Sequence, residues 1–315
     1  MPMNDSTQDA GSISKEISES GEFVRQTQRF RRQIRADGSG DLLPEAGRFH
    51  LYVSYACPWA SRSILMRHLK GLEGAIGMTV VDPERDEKGW RFTPDEPDPV
   101  NGWSYLSEGY LATDPGFEGR VTVPTLWDKE TGTIVNNESS EVLRMLNSEF
   151  NEFAERPELD YYPEPLRAEI DALNDWIYPE INNGVYRAGF ATSQEAYEAG
   201  VTTLFAALDR VEAILEGNRY LTGETITEAD WRLAMTLFRF DPVYVGHFRC
   251  NIRRIVDYPN IWGYARELYQ HEGVAETVNF DHIKRHYYRT HPTINPTRIV
   301  PVGPEIDWLK PHGRA

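Results

Sequence analysis

The chain predicts an α/β domain followed by an all-α domain. Three observations carry that prediction. Around residue 49 apolar and polar residues alternate as in a strand, and a Cys-Pro pair suited to a helix start follows. Residues 121–127 repeat the strand pattern with a proline inside it. Beyond residue 160 the apolar residues shift to helical spacing and keep it.

Taken in order, residues 1–35 read as an N-terminal tail, the first 22 of them polar, acidic and loosely attached. Arg25 to Arg35 contains five arginines, expected on a solvated or packed arm rather than a membrane or targeting segment. Asp37-Gly38-Ser39-Gly40-Asp41 is a turn. Phe49, Leu51 and Val53 mark the first strand, and Pro58 suits the first turn of a helix continued by Leu65 and Leu69. Gly71 and Gly74 help to stop that helix, and residues 77–81 are the second strand. Residues 82–119, rich in Asp, Glu, Pro and Gly, read as a long loop of the kind that often carries function. Pro124 within its strand implies an edge position, a bulge or a cis turn. Thr133-Ile134-Val135 is a further strand, and Asn137-Glu138-Ser139-Ser140 opens a helix. These elements make an α/β domain over residues 36–150, with the linker at Pro163-Glu164-Pro165.

The second domain is expected over residues 160–315. Leu166, Ile170, Leu173, Ile177 and Ile181 form one helical stripe, and Val201, Leu204, Leu208, Val211 and Leu215 belong to another. Thr227 and Asp230 resemble a capping box, with Ile226 and Trp231 at the staple positions. Another helix covers residues 261–269, and an irregular tail starts near residue 287.

Composition excludes several classes. A net charge of −16 opposes nonspecific binding to nucleic acid or anionic membrane. No apolar run approaches the ~20 residues that span a bilayer, and no secretory h-region is expected at the start. The two cysteines, Cys57 and Cys250, make neither a disulfide framework nor a zinc site, so a reducing, cytoplasmic setting is the expectation. His282 and His286 stand four apart with no third ligand, and the glycines form no phosphate-binding fingerprint, so neither metal nor nucleotide is expected. The charged run at residues 82–88 reads as a loop, and Cys250 as an inert core thiol.

The chemistry concentrates at Cys57. At a strand-to-helix turn, helix-start N–H groups and the helix dipole stabilise a thiolate. Three residues on stands Ala60, so no second thiol can close an internal disulfide there. A nucleophilic Cys57 would therefore form a mixed disulfide with an outside thiol.

Cys57-Pro58-Trp59-Ala60, Lys88-Gly89-Trp90, Val123-Pro124, Asn137-Glu138-Ser139, Asn183-Gly184-Val185-Tyr186 and His286-Tyr287-Tyr288 through Asn295-Pro296 lie in one order along residues 25–305. Together they resemble the xi class of glutathione transferases, the glutathionyl-hydroquinone reductases. Ser61 departs from the pattern, where many members have histidine. The resemblance implies a thioredoxin-like N-terminal domain with a helical glutathione-transferase C-terminal domain, usually as a homodimer. It implies glutathione as co-substrate and a glutathionyl-hydroquinone as substrate. By resemblance Cys57 is the nucleophile, Trp90 packs against glutathione, and Arg120, Val121, Thr122 and Val123 form the strand that pairs with the tripeptide. Glu138 and Ser139 hold its γ-glutamyl end, Tyr186 is the proton donor, and Tyr244 and Tyr287 help to ionise the cysteine.

The residue types suit these tasks. Extended backbone at Val123 offers N–H and C=O groups to a peptide, and Pro124 cannot continue a ladder. Glu138 can accept from an ammonium, and Ser139 with the helix-start N–H groups can donate to a carboxylate. Plainer readings stand beside these: a loop anchor for Trp90, ordinary packing for the three tyrosines and a first-turn helix charge for Glu138. Two rival functions also stay open: a thiol transferase or dehydroascorbate reductase using the same cysteine, and a non-catalytic binding protein of this fold.

Overall fold

The structure, a computed structural model, describes residues 14–314. The chain divides into two units. One contains residues 26–159, and the other residues 16–25 with residues 160–314.

The first unit is built on β1 (Phe49–Val53), every residue of which is buried. It runs into α1 (Pro58–Leu69), then β2 (Gly77–Val80), α2 (Ser107–Thr113), β3 (Thr125–Asp128), β4 (Thr133–Asn136) and α3 (Ser139–Arg144). The sheet order is β2-β1-β3-β4, with β1 parallel to β2 and antiparallel to β3. Of the three options for Pro124, the cis turn is found: the Val123–Pro124 bond is cis, and β3 begins after it in the interior of the sheet. The strand expected over residues 121–127 is thus shorter, because Pro124 has no N–H to give a ladder.

Two loose-segment expectations change. Residues 82–119 are not all loop, since they hold α2, a short helix between Pro- and Gly-rich flanks. The tail reading of residues 1–35 fails for its second half. Arg32 N donates to Val135 O at 3.0 Å and Asn137 N to Phe30 O at 3.1 Å, so this arm lies along the edge of β4. An exposed edge strand is an aggregation hazard that a covering segment removes. The arginines anchor the arm: Arg29 pairs with Asp114, Arg31 with Glu141 and Arg35 with Glu149, while Arg32 donates to Thr133 Oγ1. Residues 1–13 lie outside the described residues.

The second unit contains α4 (Arg167–Ile177), α5 (Gly184–Gly189), α6 (Gln194–Gly217), α7 (Glu228–Arg239), α8 (Pro259–Gln270) and α9 (Phe280–Thr290). The expected stripes are the buried faces of α4 and α6. Every residue of α7 is buried, so it is the core helix. Asp230 caps it, accepting from Thr227 N at 2.8 Å. Residues 16–25 join this unit rather than trailing from it: Ile17 bridges Phe23, Phe23 is buried, and Thr192 N donates to Gly21 O at 3.0 Å. The irregular tail begins later than expected, after Thr290, and its end packs on α8, where Arg266 Nη1 donates to Pro311 O at 2.8 Å.

One stability prediction arises here. His50 lies buried on β1, its Nε2 2.7 Å from Thr79 Oγ1, and burial pushes its pKa down to about 4. Burial does the same to His247 in the second unit, also to about 4. The unfolded chain binds these protons near pH 6.5 while the folded chain refuses them until about pH 4. Stability is therefore full above pH 6.5 and falls as pH drops toward 4, by up to about 3 kcal/mol per histidine. Urea unfolding at pH 7.5 and 5 checks this. His50→Gln should flatten the acid slope, and an unchanged slope would assign it to other groups.

Candidate active site

Cys57 is the residue that starts α1. Its backbone is extended (φ −82°, ψ 118°), and Pro58 takes the first helical position, where a missing N–H costs nothing. Cys57 is partly exposed and its thiol is free. Its Sγ lies 3.5 Å from the carbonyl oxygen of Val123, the residue before the cis proline. Thus the sheet and α1 bring two of the predicted site residues together. Ser61, the departure noted above, is buried and donates its hydroxyl to Cys57 O at 3.0 Å. It braces the backbone of the first turn, a structural task that a serine can perform.

The Arg120–Val123 segment divides into two kinds of position. Gln26 clasps Arg120, with Nε2 donating to Arg120 O at 2.7 Å and Oε1 accepting from Arg120 N at 2.9 Å. Tyr110 does the same for Thr122, donating to its carbonyl at 2.8 Å and accepting from its N–H at 3.2 Å. The backbone groups of Arg120 and Thr122 are therefore engaged within the protein, while the carbonyl of Val123 faces the thiol. Val121 is buried between them. Neither Gln26 nor Tyr110 was legible as a site-building residue. Gln26 lies 94 positions from Arg120, and Tyr110 sits on the helix hidden in an apparent loop.

Glu138 and Ser139 form the head of α3. Glu138 accepts from Ser140 N at 3.1 Å and Ser140 Oγ at 2.9 Å, so it caps the helix as well as carrying charge. Ser139 Oγ accepts from Arg62 Nη1 at 3.2 Å. Arg62, buried on α1, also lies 4.7 Å over the Trp59 ring. The sequence reading passed over this cation. It sets a fixed positive charge beside the serine expected to meet a carboxylate. Trp90 is buried beneath Arg85, whose guanidinium lies 5.5 Å from the ring centre. Its loop is tied by the Arg91–Asp82 ion pair at 2.8 Å.

The three tyrosines meet in the second unit. Tyr186 of α5 and Tyr287 of α9 approach to 2.6 Å between hydroxyl oxygens, and Tyr244, after α7, lies 3.1 Å from Tyr287. Burial holds Tyr244 and Tyr287 protonated well above the usual phenol range, and a charge on Tyr186 would raise both further. As neutral phenols they bring no positive charge to a cysteine, and these hydrogen bonds run to each other and to Tyr186. The expectation that they ionise Cys57 gives way to one in which they serve Tyr186. Cys250 is wholly buried, and burial drives its thiol far up from the ordinary range, as an inert core thiol requires. Among the described residues no cluster of His, Cys, Asp and Glu could hold a metal ion, and no helix is long and apolar enough to cross a membrane.

Comparison with known proteins points the same way. The family model for the glutathione S-transferase N-terminal domain matches residues 56–149, and that for its C-terminal domain matches residues 194–267. The chain is 52% identical to the glutathionyl-hydroquinone reductase YqjG of Escherichia coli, covering 94% of this chain and 93% of that one. It is 51% identical to the glutathionyl-hydroquinone reductase PcpF of Sphingobium chlorophenolicum, covering 91% of each. Among solved structures, the glutathione S-transferase Xi of Phanerochaete chrysosporium superposes with a TM-score of 0.89 at 52% identity, over 93% of this chain and 96% of that one. The glutathione-bound structure of YqjG gives 0.88 at 52% identity, over 91% and 96%.

Proposed function

Because this chain belongs to the glutathione S-transferase family, in its Xi class, we propose that it is a glutathionyl-hydroquinone reductase that works through Cys57. The observation that carries the reading is the free, partly exposed thiol at the head of α1, with Ala60 where a resolving cysteine would stand.

The reaction follows from that thiol. Cys57 thiolate attacks the sulfur of the glutathionyl-hydroquinone, forming a Cys57–glutathione disulfide. The carbon–sulfur bond breaks with its electron pair going to the ring carbon, which takes a proton from Tyr186. A second glutathione, as thiolate, attacks the glutathione sulfur of that disulfide. Oxidised glutathione leaves and Cys57 thiolate returns. The net change is one glutathionyl-hydroquinone and one glutathione giving hydroquinone and oxidised glutathione.

The other assignments follow the same reading. The Val123 backbone pairs with the cysteinyl peptide of glutathione. Arg120, Val121 and Thr122 hold that strand in place through Gln26 and Tyr110. Ser139, backed by Arg62, takes the γ-glutamyl carboxylate, Glu138 its ammonium, and Trp90 packs beside the tripeptide. Glutathione is the co-substrate, and neither a metal nor a nucleotide has a step to perform. Two free thiols and a reaction driven by glutathione fit a reducing cytoplasm. A homodimer of two domains per chain, divided near residues 150–160, completes the proposal.

The test is to mix the purified protein with a glutathionyl-hydroquinone and glutathione and follow both products. Hydroquinone and oxidised glutathione should appear one to one. Oxidised glutathione from disulfide substrates, with the conjugate left intact, would overturn the reading in favour of a thiol transferase.

A further inference from the structure

Arg25 belongs to the N-terminal stretch that joins the second unit. Its guanidinium carbon lies 4.7 Å from the centre of the Tyr186 ring and 5.2 Å from that of Phe23. Its Nε donates to Asn183 Oδ1 at 2.8 Å, three residues before the tyrosine it covers. The cation is thus held against the π face of the proposed proton donor, by a residue just ahead of that donor's own helix. Phe23 is buried and packs on Tyr186 at 6.3 Å between ring centres, which fixes the arm that carries Arg25.

We infer that Arg25 is a positioning residue for Tyr186: it sets the orientation of the ring and stabilises its phenolate. This goes beyond the proposed reaction, and its kinetic consequence rests on Tyr186 being the donor. The physical basis is that a cation over an aromatic face is attracted by the ring's electrons, and more strongly once the phenol has lost its proton. Tyr287 adds a hydrogen bond at 2.6 Å to the same oxygen, with Tyr244 behind it. A phenol supported in this way gives up its proton more readily and is a better acid toward a ring carbon. Arg25, Tyr287 and Tyr244 are the charged and titratable groups facing Tyr186 from the N-terminal stretch, α9 and the turn after α7. Arg239, His247, His286 and His291 act on Tyr287 or Tyr244.

The experiment uses the full chain with its tyrosines labelled at the ring carbon bearing the hydroxyl. The Tyr186 resonance is assigned by its loss in Tyr186→Phe and then titrated with pH. In Arg25→Leu the midpoint should rise by about one pH unit, and Arg25→Lys should recover at least half of that rise. Asn183→Ala, which frees the guanidinium, should give a smaller rise in the same direction, and it carries the test if Arg25→Leu fails to fold. An unchanged midpoint in these variants overturns the inference. In turnover, Arg25→Leu should lower kcat about tenfold near neutral pH, move the alkaline limb upward with the midpoint, and leave KM for glutathione within twofold. A midpoint that moves while the alkaline limb stays still would uphold the Arg25–Tyr186 coupling and remove Tyr186 as the donor.

Discussion

Cys57→Ala should lower turnover of a glutathionyl-hydroquinone by at least about a thousandfold, because no other group in the site can accept the glutathione sulfur. The only other thiol, Cys250, is wholly buried and held protonated by its apolar surroundings. Fold should be kept, since the Cys57 side chain provides no hydrogen bond to the α1 cap. Circular dichroism and the melting temperature check that point. The covalent step has its own readout. Mass spectrometry of the wild type after oxidised glutathione should find one glutathione, on Cys57, and none on Cys250. A Cys57–Cys250 disulfide, or a second glutathione on Cys250, would contradict the burial argument. Residual activity in Cys57→Ala within tenfold of wild type would transfer the chemistry elsewhere.

The second large effect concerns the proton. Tyr186→Phe should lower release of hydroquinone by about 10²–10⁴, the usual worth of a positioned general acid. The same variant should still take up glutathione on Cys57 from oxidised glutathione at the wild-type rate. That exchange breaks a sulfur–sulfur bond and protonates no carbon. The two measurements together separate loss of the donor from damage to the thiol. Tyr287→Phe should cost less, because it removes a partner of the Tyr186 hydroxyl rather than the donor itself. Hydroquinone release by Tyr186→Phe within threefold of wild type would exclude this tyrosine as the acid.

Much of the candidate site was legible because its parts are local patterns. A strand, a Cys-Pro pair and a helical stripe announce the head of α1 within a dozen residues. Val123-Pro124 signals an interrupted ladder from one dipeptide, and Asn137-Glu138-Ser139 signals a capped helix start. The misreadings share one cause. The arm at residues 26–35 looks like a tail because its own residues bury little, and what orders it is the free edge of β4. The helix α2 is short and lies in turn-forming flanks, so its propensity is drowned until Tyr110 finds Thr122. The tyrosines were recognised singly, but their roles depend on which hydroxyls meet.

By itself, then, the sequence determined the order of elements, the family resemblance and the lone thiol at a helix start. Each depends on residues a few positions apart, where backbone geometry and side-chain period leave little choice. Only the tertiary structure decided that Arg25 stacks on Tyr186 and bonds Asn183 across 158 positions, and that Tyr186 and Tyr287 share a hydrogen bond across 101. It also decided that Gln26 and Tyr110 occupy the backbone of Arg120 and Thr122, with the Val123 carbonyl turned to the thiol. Contacts of that kind are selected by the packing of the whole chain, because burial leaves a polar group no partner except the one the fold delivers.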